Sequence, residues 1–473
     1  MPEGRLLKID DFHRTGGEWK NQFRPQTLTT SVIDSREVVP GSVFFAFRGE
    51  KTDGHQFIPK AIESGAAIVV YSDPASDRQF LGSDCLGIRT DQVLNYLQDL
   101  AARVVRRSKI PVIAITGSNG KTTTKDLVSA VLSSKFKVHR NYKNLNNHLG
   151  VPLTILGLNA EHEILVLEMG MNHAGEIARL CEIADPTHGL ITNIGTAHIE
   201  NLGTQEGIAR AKGELFVHLT NRKGFAFINA DDPFLLKLMA GRTAQSLFFG
   251  INNKEASVRA RDLVLTPENT WSFSWVDQKS RKSGQVNLQI PGRHMVMNAL
   301  AAVAVGIKFG IRPEDISSSL NGAAAQDKRM QLVRVGDRQL LIDCYNANPD
   351  SMKAGLQSFQ ELMAPGRKIV VLGDMYELGH LSDHLHDEVG SFLKTLAFDG
   401  VITVGKQSAR IGAMLKKYPA SLGVHHFETR EQVMGWLEST LKPGDAVYLK
   451  ASRGMKLEQI SDFLIETYTA GAN

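Results

Sequence analysis

Gly117, Gly120, Lys121 and Thr122 stand together in the stretch TGSNGKTT, directly after the apolar run PVIAI. Glycines let backbone N–H groups converge on phosphate oxygens, and a helix starting at the lysine adds its dipole. Lys121 then reaches the β- and γ-phosphates of a nucleotide, and the Thr122 hydroxyl serves Mg²⁺. Ser118, Asn119 and Thr123 complete the loop. The general pattern GxxxxGK[ST] asks for a first glycine where Ile115 stands; here Gly117 takes the turn and the loop is shorter. A glycine-rich turn capping an ordinary helix is the plain alternative, and the strand–loop–helix context favours phosphate binding. In doubly wound sheets, ligands gather beyond the carboxyl ends of the strands. The strand-like run EILVLEM carries Glu168 at its end, and the loop after HGLITNI carries His198. If these strands neighbour the phosphate-loop strand, both side chains converge near Thr122. A carboxylate suits Mg²⁺; a histidine is a less usual ligand for so hard a cation. Lys212, in ARAKGELF, lies on a helical stretch and by itself reads as a solvated lysine.

The elements that must position these residues fall into three units. The 473-residue length suggests about three domains at roughly 100–200 residues each. Residues 1–103 alternate short β-rich runs (VFFAF, AAIVVY) with turns and the helical PKAIESG, a small α/β domain. Residues 104–325 carry the strand-like runs at 111–116, 163–169, 188–194 and 224–230. Helical TTKDLVSAVLSSKF and AGEIARLCEIA lie between the first three. This is the pattern of a doubly wound, mostly parallel sheet. A β-rich stretch, EASVRARDLVLTPENTWSFSWVD, and a buried helix, GRHMVMNALAAVAVGIKFG, follow. Residues 321–334 read as a linker. Residues 326–473 repeat the alternation in QLLIDCYN, KIVVLGD, GVITVG and DAVYLKAS, a second doubly wound domain.

Composition sets the class. Apolar residues make up 42% and charged residues 22%, as in soluble globular chains. The 54 basic against 50 acidic residues give no strongly basic surface, which argues against a nucleic-acid partner. Cys85, Cys181 and Cys344 are scattered and suggest a reducing compartment. No apolar stretch has the length of a signal core or a membrane span, so a cytoplasmic protein without membrane insertion is expected.

Taken together, GSNGKTT, LEMGMNHAGEI, TNIGTAHIENLGTQEGIARAKGELF and INADD resemble the ATP-binding domain of the Mur ligases. These enzymes add amino acids to the nucleotide precursor of peptidoglycan, and the resemblance extends over essentially the whole chain. DCYNANPDSM, VLGDMYELG and KASRGMKLEQI look like the member that attaches D-alanyl-D-alanine to UDP-N-acetylmuramoyl-tripeptide. The resemblance implies that Lys121 and its loop bind ATP phosphates and that Thr122, Glu168 and His198 serve Mg²⁺. It matches Lys212 to a lysine that several members carbamylate into an acidic metal ligand. Asn298, with His294 nearby, would lie against the adenine, and Arg329 and Asp343 would close onto the ATP phosphates and ribose. Ser35 and Arg36 would meet the uridine diphosphate in the first domain, and Asn146 and Asn147 the muramoyl substrate. Tyr345, Asn346, Asn348 and Ser351 would form the dipeptide side. YNANP as a simple turn and DSR as a helix cap are the bland readings of two of these stretches. Cys344 and Ala451 depart from the family's usual residues at their positions.

The implied chemistry is activation of a carboxylate as an acyl phosphate, then attack by the dipeptide amine. Reactants held on three domains imply closure of the third onto the second, in a protein expected to act as a monomer. Two alternatives remain at this point: another amino-acid ligase of the superfamily, and a nucleotide-dependent switch that binds partners. YNANP and GDMYELG argue against the first, and the uridine-nucleotide domain against the second.

Overall fold

A computed structural model describes residues 4–50, 52–142, 144–324 and 328–470. Three sheets, of five, nine and six strands, follow one another along the chain. In the first, Ser31–Val32, Val43–Phe45, Ile68–Tyr71 and Leu86–Arg89 run parallel, and Glu18–Trp19 closes the far edge antiparallel. The helix Val93–Ser108 runs from this sheet onto the second, so position 103 lies within it. Its Gln98 side chain donates to the His148 carbonyl and accepts from Arg179 Nε.

In the second sheet the phosphate-loop strand Val112–Thr116 lies between Ile164–Glu168 and His188–Ile191, parallel to both. All five of its residues are buried, because helices cover both faces and leave no side for polar residues. Beyond it the parallel order continues through Phe225–Asn229 and Gln245–Gly250 to Val258–Leu265. From there Trp271–Asp277 and Ser283–Asn287 extend the sheet antiparallel. The helix His294–Lys308 is apolar nearly all round and packs against Lys121–Ser133, which accounts for its burial. The strand Val138–Arg140 forms the opposite edge; its half-buried, basic sequence VHR gives no strand signal.

In the third sheet Arg338–Asp343 pairs in parallel with Ala446–Lys450, and Lys368–Gly373, Gly400–Val404 and Val424–Phe427 continue the parallel order beyond it. Its outer edge is Gln331–Val335, antiparallel to Arg338–Asp343. The stretch 321–334, expected as a linker, therefore begins on the last residue of the helix Pro313–Asn321 and ends inside a strand. The expected boundary between 325 and 326 lies outside the described residues, as do the extreme ends at 1 and 473. Among the described residues no helix is long and apolar enough to cross a membrane.

Candidate functional site

The loop after Val112–Thr116 is held by its neighbour strand. Ser118 N donates to the Asn193 carbonyl (3.0 Å), Thr192 Oγ1 donates to the Asn119 carbonyl (2.6 Å), and Gly195 N donates to Ser118 Oγ (2.8 Å). Gly117 has φ 147°, and a Cβ there would lie 1.9 Å from Thr192 Oγ1. Gly120 has φ 77°, and a Cβ there would lie 2.7 Å from Asn298 Oδ1. Both positions need glycine for conformation and for space. The helix Lys121–Ser133 then begins with no side-chain cap, so its first N–H groups remain available to an anion. Lys121 Nζ folds back on the Gly117 and Ser118 carbonyls, at 2.8 and 3.2 Å. Burial lowers its pKa, and Glu168 opposes that shift.

Glu168 and Thr122 meet as the strand order requires. Thr122 Oγ1 donates to Glu168 Oε2 at 2.7 Å, both side chains buried, and Asn146 Nδ2 donates to Glu168 Oε1 at 2.8 Å. This hydroxyl–carboxylate pair is a hard oxygen set of the kind Mg²⁺ takes alongside phosphates and water. His198 does not join it. Its Nδ1 lies 3.1 Å from Glu377 Oε2, out of line for a hydrogen bond, and the contact holds the Glu377 carboxyl below its ordinary range. Both residues have left-handed backbones, at φ 64° and 62°. Among the described residues no three His, Cys, Asp or Glu side chains form a metal cluster. Lys212 is 1% exposed on the helix Gln205–Arg222 and does not line the cleft, contrary to its reading as a solvated lysine. Burial, with the Lys121 charge behind it, pushes its pKa far down.

A cavity of about 790 Å³ joins the phosphate loop to the third sheet. Asn119, Glu168, His198, His294, Asn298, Arg329 and Asp343 line it, with Asn146, Asn147, Tyr345, Asn346, Asn348 and Ser351. His294 is half-buried in the cleft wall, and burial lowers its pKa to about 4; its Nδ1 lies 3.3 Å from Ser358 Oγ. The buried Asn298 donates to Met295 Sδ. Arg329 lies over the Tyr345 ring (3.8 Å), and its buried Nε has no partner. Asp343 is engaged by Lys450 Nζ at 2.5 Å.

Several side chains expected to face substrate have their hydrogen bonds elsewhere. Asn147 Oδ1 accepts from Leu149 N and Gly150 N. Asn348 and Ser351 form a reciprocal cap on the helix Pro349–Glu361, and Asn346 Oδ1 accepts from Ala347 N. Ser35 and Arg36 lie outside the cleft, on the short turn Ser35–Glu37 of the first domain. There Asp34 caps the turn, and its carboxyl is held down to about 2 by the Arg36 guanidinium.

The structure adds residues that sequence reading missed. Asn141 clamps the Glu168 backbone, accepting from its N–H and donating to its carbonyl, both at 2.9 Å, while buried Lys125 donates to the Asn141 carbonyl. Asp350 Oδ2 accepts from Thr196 N (2.6 Å) and Thr196 Oγ1 (2.8 Å), and Asn348 Nδ2 donates to Asn119 Oδ1 (2.8 Å). These last contacts join the third sheet's loops to the phosphate loop. The asparagine run NYKNLNN, the polar strand end in DAVYLKAS and the stretch DCYNANPDSM were the available signals for Asn141, Lys450 and Asp350.

Three family models match the chain: the Mur ligase family catalytic domain over 28–104, the Mur ligase middle domain over 115–306, and the Mur ligase glutamate ligase domain over 328–453. The UDP-N-acetylmuramoyl-tripeptide–D-alanyl-D-alanine ligase of Bacillus subtilis is 36% identical, across 94% of this chain and 95% of that protein. Its Escherichia coli counterpart is 33% identical, with 94% and 95% covered. Among solved structures, MurF from Acinetobacter baumannii superposes with a TM-score of 0.86 at 29% identity, covering 97% of this chain and 99% of that one. MurF ligase from Thermotoga maritima, in complex with ADP, gives 0.81 at 29% identity, covering 94% and 98%.

Proposed function

The chain belongs to the Mur ligase family, and from that premise we propose that it joins D-alanyl-D-alanine to UDP-N-acetylmuramoyl-tripeptide at the expense of ATP. The product is the UDP-N-acetylmuramoyl-pentapeptide precursor of peptidoglycan, with ADP and phosphate released. The observation that carries this reading is the 2.8 Å contact between Asn348 and Asn119, which sets the YNANP loop against the phosphate loop within one cleft. A group activated at one loop is then within reach of a nucleophile held by the other.

A carboxylate resists amines because its carbonyl is a poor electrophile. Transfer of the γ-phosphoryl of ATP to the tripeptide's terminal carboxylate gives an acyl phosphate with a good leaving group. The dipeptide amine attacks the acyl carbon, and the tetrahedral intermediate collapses to the amide and phosphate. Lys121 and the uncapped first turn of Lys121–Ser133 neutralise charge on the transferring group. Thr122 and Glu168 would hold Mg²⁺, with His198 at the cleft wall; the ion supplies further charge neutralisation on the phosphates. Arg329, with an unpartnered Nε, serves the ATP phosphates, Asp343 the ribose, and His294 and Asn298 the adenine. Burial lowers the Lys212 pKa, a shift toward the uncharged amine that adds CO₂ to become a carbamate. We assign residues 1–103 to the uridine nucleotide through Ser35 and Arg36. Residues 104–325 serve ATP, with Asn146 and Asn147 toward the muramoyl peptide, and residues 326–473 serve the dipeptide. We assign the chain to the cytoplasm, a reducing compartment that fits three free, buried cysteines, and to a monomer.

The test is phosphate release from ATP and Mg²⁺ with both small substrates, each omitted in turn. Release that needs both, with the pentapeptide found by mass spectrometry, is expected. Release indifferent to the two substrates would refute the assignment.

A further inference from the structure

The cleft holds a cation that the chemistry above leaves unused. Arg453 follows the strand Ala446–Lys450, and Tyr345 follows Arg338–Asp343, its parallel neighbour in the sheet. The two loops therefore leave adjacent strand ends on the same side of the sheet, where ligands of such sheets collect. The Arg453 guanidinium lies 4.9 Å from the Tyr345 ring centre, is exposed to the cleft and, among the described residues, makes no ion pair or side-chain hydrogen bond. The neighbouring cations are placed differently. Lys121 rests on its own loop carbonyls and Lys450 on Asp343. Arg329 also lies over the Tyr345 ring, at 3.8 Å, but it lines the pocket beside the phosphate-loop helix together with Thr122 and Thr123, whereas Arg453 does not.

Resting on the ligase reading above, the geometry points to Arg453 as the receptor for the free carboxylate of the incoming dipeptide. The dipeptide must present its amine to the acyl phosphate while its other end carries a negative charge in a site already crowded with phosphate. Two extended residues span roughly 7 Å, enough to hold that carboxylate away from the phosphates. A guanidinium offers a planar pair of donors that matches a carboxylate, and the Tyr345 ring beside it favours the cation at this place. Tyr376, whose ring lies against Gly454 and lines the cleft, gives the alanyl methyl groups an apolar neighbour. Arg453 is thus a specificity residue: it selects dipeptides ending in a free carboxylate.

Steady-state kinetics of the full chain, with D-alanyl-D-alanine and with its C-terminal carboxamide, test this in the wild type, R453Q and R453K. The wild type should show a KM for the carboxamide roughly 10- to 100-fold above that for the acid, the range of a charge-assisted hydrogen bond. R453Q should raise the KM for the acid by a similar factor and lose the preference between the two. Its kcat and its KM for ATP and for the nucleotide–tripeptide should stay unchanged, as expected when uniform binding is removed. R453K should restore part of the preference. An R453Q enzyme that still prefers the acid as strongly as the wild type would overturn the assignment alone, as would a raised KM for ATP or the nucleotide–tripeptide in place of the dipeptide. A wild type that ligates neither dipeptide would remove the ligase reading along with it.

Discussion

Two helices point their N-termini into the same cleft and are finished in opposite ways. Lys121–Ser133 starts from a left-handed glycine, with no side chain on its first N–H groups. Pro349–Glu361 starts with proline and is closed by Asn348 and Ser351, each side chain accepting from the other's backbone N–H. The first leaves its donors for a ligand; the second gives its Ser351 N–H to Asn348 and has a proline, without an N–H, at its first position. The central domain can therefore bind through backbone and dipole, and the third domain must act through side chains that reach past a sealed helix end.

The largest consequence concerns the open helix. Lys121→Ala should lower the rate of ATP-dependent phosphate release by roughly 10³-fold or more, the scale on which charged groups act in phosphoryl transfer, while thermal unfolding stays near wild type. A variant that kept most of its activity would break the contrast between the two helices. Next, Gly120→Ala forces a left-handed alanine against Asn298 and should cost about 1–3 kcal/mol of stability, along with nucleotide affinity. Urea denaturation and ADP titration measure the two losses separately.

The sealed helix gives smaller, separable effects. Asn348→Ala removes the cap and should cost about 1 kcal/mol in denaturant unfolding. Asn348→Ser keeps a good capping residue and loses only the bond to Asn119, so stability should recover while kcat stays reduced. Recovery of both would make the contact between the loops incidental.

The smallest effect lies on the far side of the central domain. Burial lowers both His139 and His188 to about 4, and His188 packs beside Phe225, Phe227 and Phe309. Between that value and the unfolded pKa of about 6.5, the unfolded chain binds more protons. Stability should therefore fall as pH drops through this window. His188→Phe should flatten the dependence of the urea midpoint on pH, and an unchanged slope would remove His188 from its causes.

The phosphate loop was legible because its chemistry is local: strand, glycines, lysine and threonine are consecutive. The Thr122–Glu168 pair was legible at one remove, because strand ends in a doubly wound sheet share a side. The Asn141 clamp on Glu168 was hidden, since it depends on where a loop returns 27 residues earlier in the chain. Lys212 reads as solvated from its polar neighbours and is buried because it lies on the covered face of its helix, opposite the exposed Glu206, Arg210 and Val217. The edges Val138–Arg140 and Gln331–Val335 are short and half-polar, so hydrophobic periodicity could not mark them. The cap at Asn348 follows from N-x-x-S before a helix, the same letters that suggested a dipeptide contact.

The proposed reaction passes through a phosphorylated carboxylate, and one isotope measurement reaches it directly. The terminal carboxylate of UDP-N-acetylmuramoyl-tripeptide would be labelled with heavy oxygen and the phosphate released on ligation analysed by mass spectrometry. Passage through an acyl phosphate predicts one labelled oxygen in the phosphate and one retained in the new amide. Unlabelled phosphate, released alongside the pentapeptide, would contradict it.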